Sequence, residues 1–277
     1  MKRKRLNSPE TRFAFWIIVV LLLLVFAAAG PLFMRHDPLE VNLAQVNMPP
    51  CGEYLLGTDY IGRCILCRLI RGAARSIYSA LIVVALTFVI GTFIGTLSGF
   101  FGGPLDTLLM RLVDSFQAFP SMVFTIAVAG MLGIGTKNCI IAMTVIGWTG
   151  YARLARSQVL SVKERTFVSA ARVSGCSTPQ ILLRTILPNS LSPLVVSASM
   201  HIGSAILSFA GLSFLGLGTA PPFPEWGAML NEGRQRLQIA PWAVMFPGLA
   251  ILLVVMIMGM FGDSINEMLN PKKSSSD

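Results

Sequence analysis

Residues 165–188 read RTFVSAARVSGCSTPQILLRTILP, a polar stretch between two long apolar segments. The stretch is too polar to cross a bilayer, and its pattern predicts two short helices joined by a turn. Gly175 stands where the first helix should end, because glycine adopts at little cost the left-handed conformation that closes a helix. Ser177 and Gln180 form a capping-box pattern at the start of the second helix, with Pro179 in its first turn. We call residues 165–188 the finger and expect a soluble partner to grip it.

The composition places the chain among helical membrane proteins. Of its 277 residues, 54% are hydrophobic and only 13% are charged, and the mean hydropathy is +0.69. A soluble domain of this size carries about a quarter charged residues. The net charge of +9 is not by itself a nucleic-acid signal, because much of it lies beside apolar segments. The sequence therefore predicts an all-α polytopic membrane protein that binds no nucleic acid.

Six apolar segments are long enough for a helix that crosses a bilayer, which needs about 20 residues. They predict six transmembrane helices, at residues 13–33, 77–101, 107–132, 139–160, 191–217 and 242–261. The predicted organisation is a basic leader at 1–12, an anchor helix at 13–34, an external loop at 35–76, a five-helix core at 77–265 and a tail at 266–277. The core includes a cytoplasmic loop at 161–190, which contains the finger, and a second external loop at 218–241.

Three features inside these segments predict local structure. Gly91, Gly95 and Gly99 recur every four residues, so they share one helix face and allow another helix to approach closely. Pro120 should kink the third span. Pro188 should end the helical run of the finger.

The charge pattern predicts the orientation of the chain in the membrane. Six spans put both termini on one side, and the basic leader, the arginines from Arg153 to Arg184 and the pair Lys272–Lys273 then all face the cytoplasm. Four arginines fall on the outer side and count against this assignment: Arg63, Arg68, Arg71 and Arg75. We expect a multi-pass protein of the plasma (inner) membrane with both termini cytoplasmic. For the first span, a cleaved signal peptide is the alternative, since Ala27–Ala29 resembles a cleavage site.

The sequence carries no recognisable catalytic or nucleotide-binding motif. It has no Gly-x-x-x-x-Gly-Lys-Ser/Thr phosphate loop, no His-Glu-x-x-His zinc motif and no nucleophile elbow. The segment Gly133–Lys137 resembles a phosphate loop but lacks its spacing, and an interhelical turn is the simpler interpretation. We expect no enzyme activity and no bound cofactor. If ATP drives this protein, another chain binds the ATP and its Mg²⁺.

Motifs spread over nearly the whole chain carry a family resemblance. The finger contains Ala170-Ala171-x-x-x-Gly175 followed by Leu187-Pro188. Other motifs are Leu55-Leu-Gly-Thr-Asp-x-x-Gly-Arg63, Arg111-x-x-Asp114, Tyr151-Ala-Arg153, Ser213-Phe-Leu-Gly-Leu-Gly218 and Glu225-Trp-Gly-Ala-Met229. Together they resemble the permease subunits of binding-protein-dependent ABC importers, specifically the second, C-type permease of the dipeptide, oligopeptide and nickel branch.

The resemblance implies a role for the finger and a set of partners. In that family the corresponding loop is a coupling helix that docks into a groove of the ATPase subunit. The implied coupling residues are Ser169, Ala170, Ala171, Arg172, Gly175, Leu187 and Pro188. The implied partners are a second homologous permease, two ABC ATPase subunits and an external solute-binding protein. Because Ser169 replaces the family's usual acid, we attribute docking to the small residues, with Arg172 at their edge, rather than to a salt bridge.

Polar residues inside the spans are candidates for the translocation path, because their burial in lipid is costly. The candidates are His201, with its neighbour Met200, and Asp114 with Arg111. Each has a plainer interpretation: an interhelical hydrogen bond for His201 and an internal salt bridge for Arg111 and Asp114, which lie one helical turn apart.

Two cysteines depart from the family pattern. Cys64 and Cys67 stand where the branch usually has Asp and Ser. On the outer side they could form a disulfide or bind a metal, or they could be two inert substitutions.

The predicted function is a permease subunit of an ATP-driven ABC importer that carries dipeptides, oligopeptides or a nickel complex. The alternative is a secondary transporter or channel that works without an ATPase. Such a carrier usually needs ionisable groups inside the membrane, and Asp114 and His201 are nearly the only ones available. The sequence does not decide between peptide and nickel.

Overall fold

A computed structural model describes residues 9–269, and within this range the chain is built from helices and their connections. The basic leader up to residue 8 and the tail from residue 270 lie outside the described residues. The helices are α1 (Pro9–Ala29), α2 (Ile65–Phe101), α3 (Gly103–Gln117), α4 (Ser121–Leu132), α5 (Thr136–Lys163), α6 (Thr166–Val173), α7 (Thr178–Gln180), α8 (Leu187–Phe214), α9 (Trp226–Gly233) and α10 (Trp242–Leu269). The predicted all-helical class is confirmed.

Four helical runs in the described part of the chain are long and apolar enough to cross a membrane. They are Pro9–Phe33, Ile65–Phe101, Thr178–Phe214 and Trp242–Leu269. The pair α3 and α4 makes a fifth if it is counted as one broken span. The prediction of six spans therefore exceeds the four or five that length and composition support in the described residues.

The glycines of α2 allow it to pack closely against α5, as the sequence predicted. A β-carbon added at Gly91 would overlap with the carbonyl oxygen of Trp148, and one added at Gly95 would overlap with that of Ala152. At Gly99 an added β-carbon would lie 2.9 Å from the carbonyl oxygen of Arg156. The absence of side chains on this face of α2 thus brings two helix backbones into contact, as small residues do between membrane helices.

The third predicted span is broken rather than kinked. α3 ends at Gln117, α4 begins at Ser121 and the two axes differ by 86°. Pro120 lies at the N-cap of α4, where its missing N–H does not disturb the helix. The predicted position of the distortion is right, but the angle between the two helices is larger than that of a proline kink.

Helix boundaries also differ from those predicted, notably at the start of α2 and at Pro188. α2 begins at Ile65 rather than at residue 77, so the last part of the predicted external loop is helical. Pro188 does not end the finger's helical run, because it lies in the first turn of α8. The preceding residues, Ile181–Ile186, form a π-helical segment in which the hydrogen bonds reach one residue further back. This segment connects α7 to α8, so residues Thr178–Phe214 form one continuous helical run.

Candidate functional site

The finger has the predicted helix–turn–helix form. α6 ends at Val173, and Gly175 follows with a φ of +82°, in the left-handed region that favours glycine. The backbone N–H of Ser177 donates to Oε1 of Gln180 over 2.8 Å, and the Ser177 side chain accepts from the backbone of Gln180. This is the predicted capping box, and it fixes the start of α7.

The finger is anchored on one side and exposed on the other. Its buried residues Val168, Ile181 and Ile186 pack with Phe100 and Val159 in one apolar cluster at the C-terminal ends of α2 and α5. This cluster attaches the finger to the bundle, so the finger is not a free loop.

The exposed face of α6 is small and partly apolar. Ser169, Ala170 and Arg172 are exposed and Ala171 is half-buried. Val173 is 89% exposed, and Phe167 is also exposed. Sequence reasoning missed these two residues. The signal was the spacing of Phe167, Ala170 and Val173, which lies on one side of a short helix. Leu187 and Pro188 do not belong to this face, because they lie beyond the π-helical segment at the start of α8.

A cavity of about 340 Å³ lies between α2, α4, α5 and α8. Its polar lining includes Thr87, Ser121, Thr125, Tyr151, His201 and Ser204. Among the described residues that line it, none is Asp, Glu, Lys or Arg. The cavity therefore offers hydrogen-bonding groups without a fixed charge.

Of the four predicted path residues, the structure places only His201 in this cavity. Its Nδ1 lies 3.0 Å from the hydroxyl oxygen of Tyr151 on α5, which confirms the predicted interhelical hydrogen bond. The two rings meet edge to face at a centroid distance of 5.4 Å. Met200 is 50% exposed but does not line the cavity.

The predicted salt bridge between Arg111 and Asp114 is wrong. The carboxylate of Asp114 pairs instead with Arg153 of α5, over 2.7 Å, and both side chains are largely exposed. Because α3 packs beside α5, Arg153 lies within reach of Asp114. A sequence pattern within a single helix could not indicate this partner. Neither Arg111 nor Asp114 lines the cavity.

A buried ion cluster joins the connection before α2 to α9. Arg63 donates to Asp59 and to Glu232, in each case over 2.6 Å. Arg68 donates to the same oxygen of Glu232 over 2.8 Å. We call Asp59, Arg63, Arg68 and Glu232 the ion cluster. The sequence singled out the two arginines but not Glu232, because nothing in the local pattern links it to residues so far away.

Glu225 forms the N-cap of α9 from a fully buried position. Its carboxylate accepts hydrogen bonds from the backbone N–H groups of Gly227 and Ala228, both over 3.0 Å, and from the hydroxyl of Ser76 over 2.9 Å. Burial raises the pKa of Glu225. These contacts fasten α9 to α2, and they give the Glu-Trp-Gly motif a structural role that the sequence did not reveal.

Cys64 and Cys67 are free thiols. Cys64 is the N-cap of α2, and its Sγ accepts a hydrogen bond from the backbone N–H of Cys67 over 3.3 Å. Cys51 and Cys139 are free as well, and Cys176 is free and exposed. The pair therefore acts as a helix cap in this structure.

The fold is similar to that of a chain in a solved ABC transporter. The structure superposes on a chain of the MetNI methionine ABC transporter, solved in inward-facing conformations, with a TM-score of 0.62 at 19% identity. The match covers 74% of this chain and 98% of that one. At this level of identity the likeness establishes the fold alone.

Residues 91–275 match the family described as the binding-protein-dependent transport system inner membrane component, and the chain belongs to that family. The chain is 38% identical over 259 residues to the dipeptide transport system permease protein of Alkalihalophilus pseudofirmus, covering 94% of this chain and 85% of the relative. It is 40% identical over 271 residues to the glutathione transport system permease protein of Shigella sonnei, covering 98% and 89%. The chain is thus a transport permease of the predicted branch.

Proposed function

We propose that this chain is one of two permease subunits of an ATP-driven importer and that it carries short peptides across the plasma membrane. The observation that supports this most directly is the finger, a short helix anchored to the bundle with a small, partly apolar face left exposed. A surface of this kind suits a groove on a soluble subunit. Two ATPase subunits would bind ATP and Mg²⁺ and dock on the finger, and an external binding protein would deliver the cargo.

Six crossings would suit this role: α1, α2, the pair α3–α4, α5, α8 and α10. Six crossings would put the finger and both termini on one side, which we assign to the cytoplasm, and the ion cluster on the other. Arg63 and Arg68 have a structural role in the ion cluster, where they pair with Asp59 and Glu232. This role gives a reason for the presence of two of the four arginines on the side that we assign to the outside.

Short peptides are the cargo that the relatives and the cavity favour. The two relatives are named for dipeptide and glutathione transport. The cavity has polar side chains without fixed charge, which suits a zwitterionic cargo rich in hydrogen-bonding groups. A nickel complex is less well supported, because neither of these two relatives is named for nickel transport.

A substitution in the finger tests the coupling role. Gly175→Glu should leave the complex assembled in the membrane but abolish ATP-driven uptake, because a charged side chain enters the turn that should fit the ATPase groove. Gly175→Asn is the matched control, since asparagine tolerates the left-handed conformation and adds no charge. The measurement is uptake of a radiolabelled dipeptide by proteoliposomes that contain the four-subunit complex, its binding protein and ATP. Normal uptake by the glutamate variant would contradict the coupling role.

The alternative, a carrier or channel without an ATPase, makes a different prediction. It requires peptide uptake by this chain in liposomes under a proton or sodium gradient with no ATPase subunit present. We expect no such uptake, because the described residues that line the cavity include no Asp, Glu, Lys or Arg, and His201, the candidate coupling group there, is hydrogen-bonded to Tyr151. Gradient-driven uptake by the isolated chain would replace the proposed function.

A further inference from the structure

The side of α8 that faces the cavity carries a polar stripe. Ser197, His201, Ser204 and Ser208 follow one another at intervals of four, three and four residues, so they share one helix face. The last three are exposed on this chain, although α8 is long and apolar enough to span a membrane. Such a stripe would be costly against lipid, and it is stable only against protein or a water-filled path.

The contact with Tyr151 indicates which nitrogen of a neutral His201 carries the proton. The Tyr151 side chain is 4% exposed, and the hydrogen-bond partner of its hydroxyl is Nδ1 of His201. A buried phenol donates its proton where an acceptor is available, and Nδ1 then serves as that acceptor. A neutral imidazole that accepts at Nδ1 carries its proton at Nε2. The second ring nitrogen of His201 is therefore a donor.

The surroundings leave this donor available to the cargo. The described residues that line the cavity include no carboxylate that could accept from it. The hydroxyl of Ser204 bonds back to its own helix, because it donates to the carbonyl oxygen of His201 over 2.9 Å. In a peptide transporter, the strongest hydrogen-bond acceptors of the cargo are the acyl oxygens of the peptide, that is, the oxygens of its carbonyl and carboxylate groups.

We infer that the Nε2–H of His201 is a hydrogen-bond donor to the acyl oxygens of a short peptide in transit, and that Tyr151 is the positioning residue that holds His201 in this state. The inference rests on the proposed function, because it assigns a cargo contact within the proposed path. The contact with His201 would then be a cargo-recognition site inside the membrane, in addition to the selection made by the external binding protein.

The test compares four variants in the reconstituted complex with its binding protein, ATP and a radiolabelled alanine dipeptide. His201→Leu removes the donor, whereas His201→Gln keeps an N–H near the position of Nε2. Tyr151→Phe removes only the positioning hydroxyl. Met200→Leu is the control, because Met200 adjoins His201 but does not line the cavity. The readouts are the maximal uptake rate, the KM for the loaded binding protein and the ATPase rate.

We expect His201→Leu to lower the maximal uptake rate about tenfold, as loss of a hydrogen bond to a charged or strongly polar acceptor would. KM and the ATPase rate should stay within about twofold, since docking of the binding protein and the ATPase is untouched. His201→Gln should remain within about threefold of the wild type, Tyr151→Phe should fall between the two, and Met200→Leu should match the wild type.

Two results would overturn the inference. One is wild-type uptake by His201→Leu. The other is an equal loss in His201→Leu and His201→Gln, which would indicate that the imidazole acts only by packing. Failure of the proposed function looks different, because the wild-type complex itself would then take up no dipeptide with ATP.

Discussion

Nη2 of Arg63 donates to Oε2 of Glu232 over 2.6 Å, although the two residues are 169 positions apart in the chain. Arg68 donates to the same oxygen, so one carboxylate binds two guanidinium groups that are almost fully buried. The connection before α2 and the short helix α9 are therefore joined by charge in addition to the apolar cluster that contains Leu56, Trp226 and Met229. A single substitution in the ion cluster can destabilise this junction.

Glu232→Gln should lower the free energy of unfolding by about 3–5 kcal/mol, because it leaves two buried arginines short of a counter-charge. The measurement is thermal unfolding of the purified complex. Glu53→Gln is the control, since it removes one carboxylate from an exposed position of the same connection and should change the stability by less than about 0.5 kcal/mol. Equal melting temperatures for the two variants would show that the ion cluster contributes little.

Gly95→Ala should destabilise the bundle by about 1–3 kcal/mol, because the new methyl group overlaps with the carbonyl oxygen of Ala152 and must separate α2 from α5. Gly150→Ala is the matched control. It lies in α5, a β-carbon there meets no atom within 4 Å, and alanine is the better helix former. The melting temperature of Gly95→Ala should therefore fall, whereas that of Gly150→Ala should rise or stay unchanged. A Gly95→Ala variant as stable as Gly150→Ala would contradict the close packing.

Asp106→Asn should cost about 1–2 kcal/mol, whereas Asp114→Asn should cost less than about 0.5 kcal/mol. Both carboxylates bind an arginine of α5, but Asp106 receives two bonds from Arg156, over 2.6 and 2.7 Å, and is 17% exposed. Asp114 is 61% exposed, and its pair with Arg153 is screened by solvent. Denaturation of the two single variants in parallel measures the difference. The reverse order of stability would contradict the conclusion that Asp106 contributes more than Asp114 to the attachment of α3 to α5.

Labelling of Cys176 should reveal the orientation of the finger. Cys176 is exposed and Cys51 is half-buried, whereas Cys64, Cys67 and Cys139 are buried, so the experiment uses a Cys51→Ser background. A membrane-impermeant maleimide should leave Cys176 unlabelled in intact spheroplasts and modify it in inside-out vesicles. Cys176→Ser should remove the signal in vesicles and so assign it. Modification of Cys176 in sealed, right-side-out preparations would place the finger outside and reverse the proposed topology.

Local chemistry in the sequence predicted the local features of the structure well. The left-handed Gly175, the capping box of Ser177 and Gln180, and the close-packing face of Gly91, Gly95 and Gly99 depend on residues within one or two helical turns of each other. For such features, side-chain size and hydrogen-bonding capacity determine the geometry, so a single sequence contains the necessary information.

Features that depend on distant partners were missed or predicted incorrectly. Asp114 chooses Arg153 over Arg111 because α3 packs beside α5, and Glu232 meets Arg63 only when α9 folds back onto the start of α2. The break at Pro120 was predicted at the right position but as a kink, because the 86° angle depends on how α4 packs against α5. His201 was predicted both as a path residue and as an interhelical contact, and its bond to Tyr151 and its place in the cavity are compatible with both roles.

Because Thr178–Phe214 is continuous through its π-helical segment, α7 and α8 form a single helical rod. His201 lies 22 residues beyond Pro179, or roughly 33 Å along a helix that rises about 1.5 Å per residue. Under the proposed function, a movement of α6 would pass through the turn at Gly175 to this one continuous helix and so reach the polar stripe. The same rotation would move the imidazole of His201 relative to a cargo in the cavity, so that release of the cargo and opening of the path would share one mechanical cause.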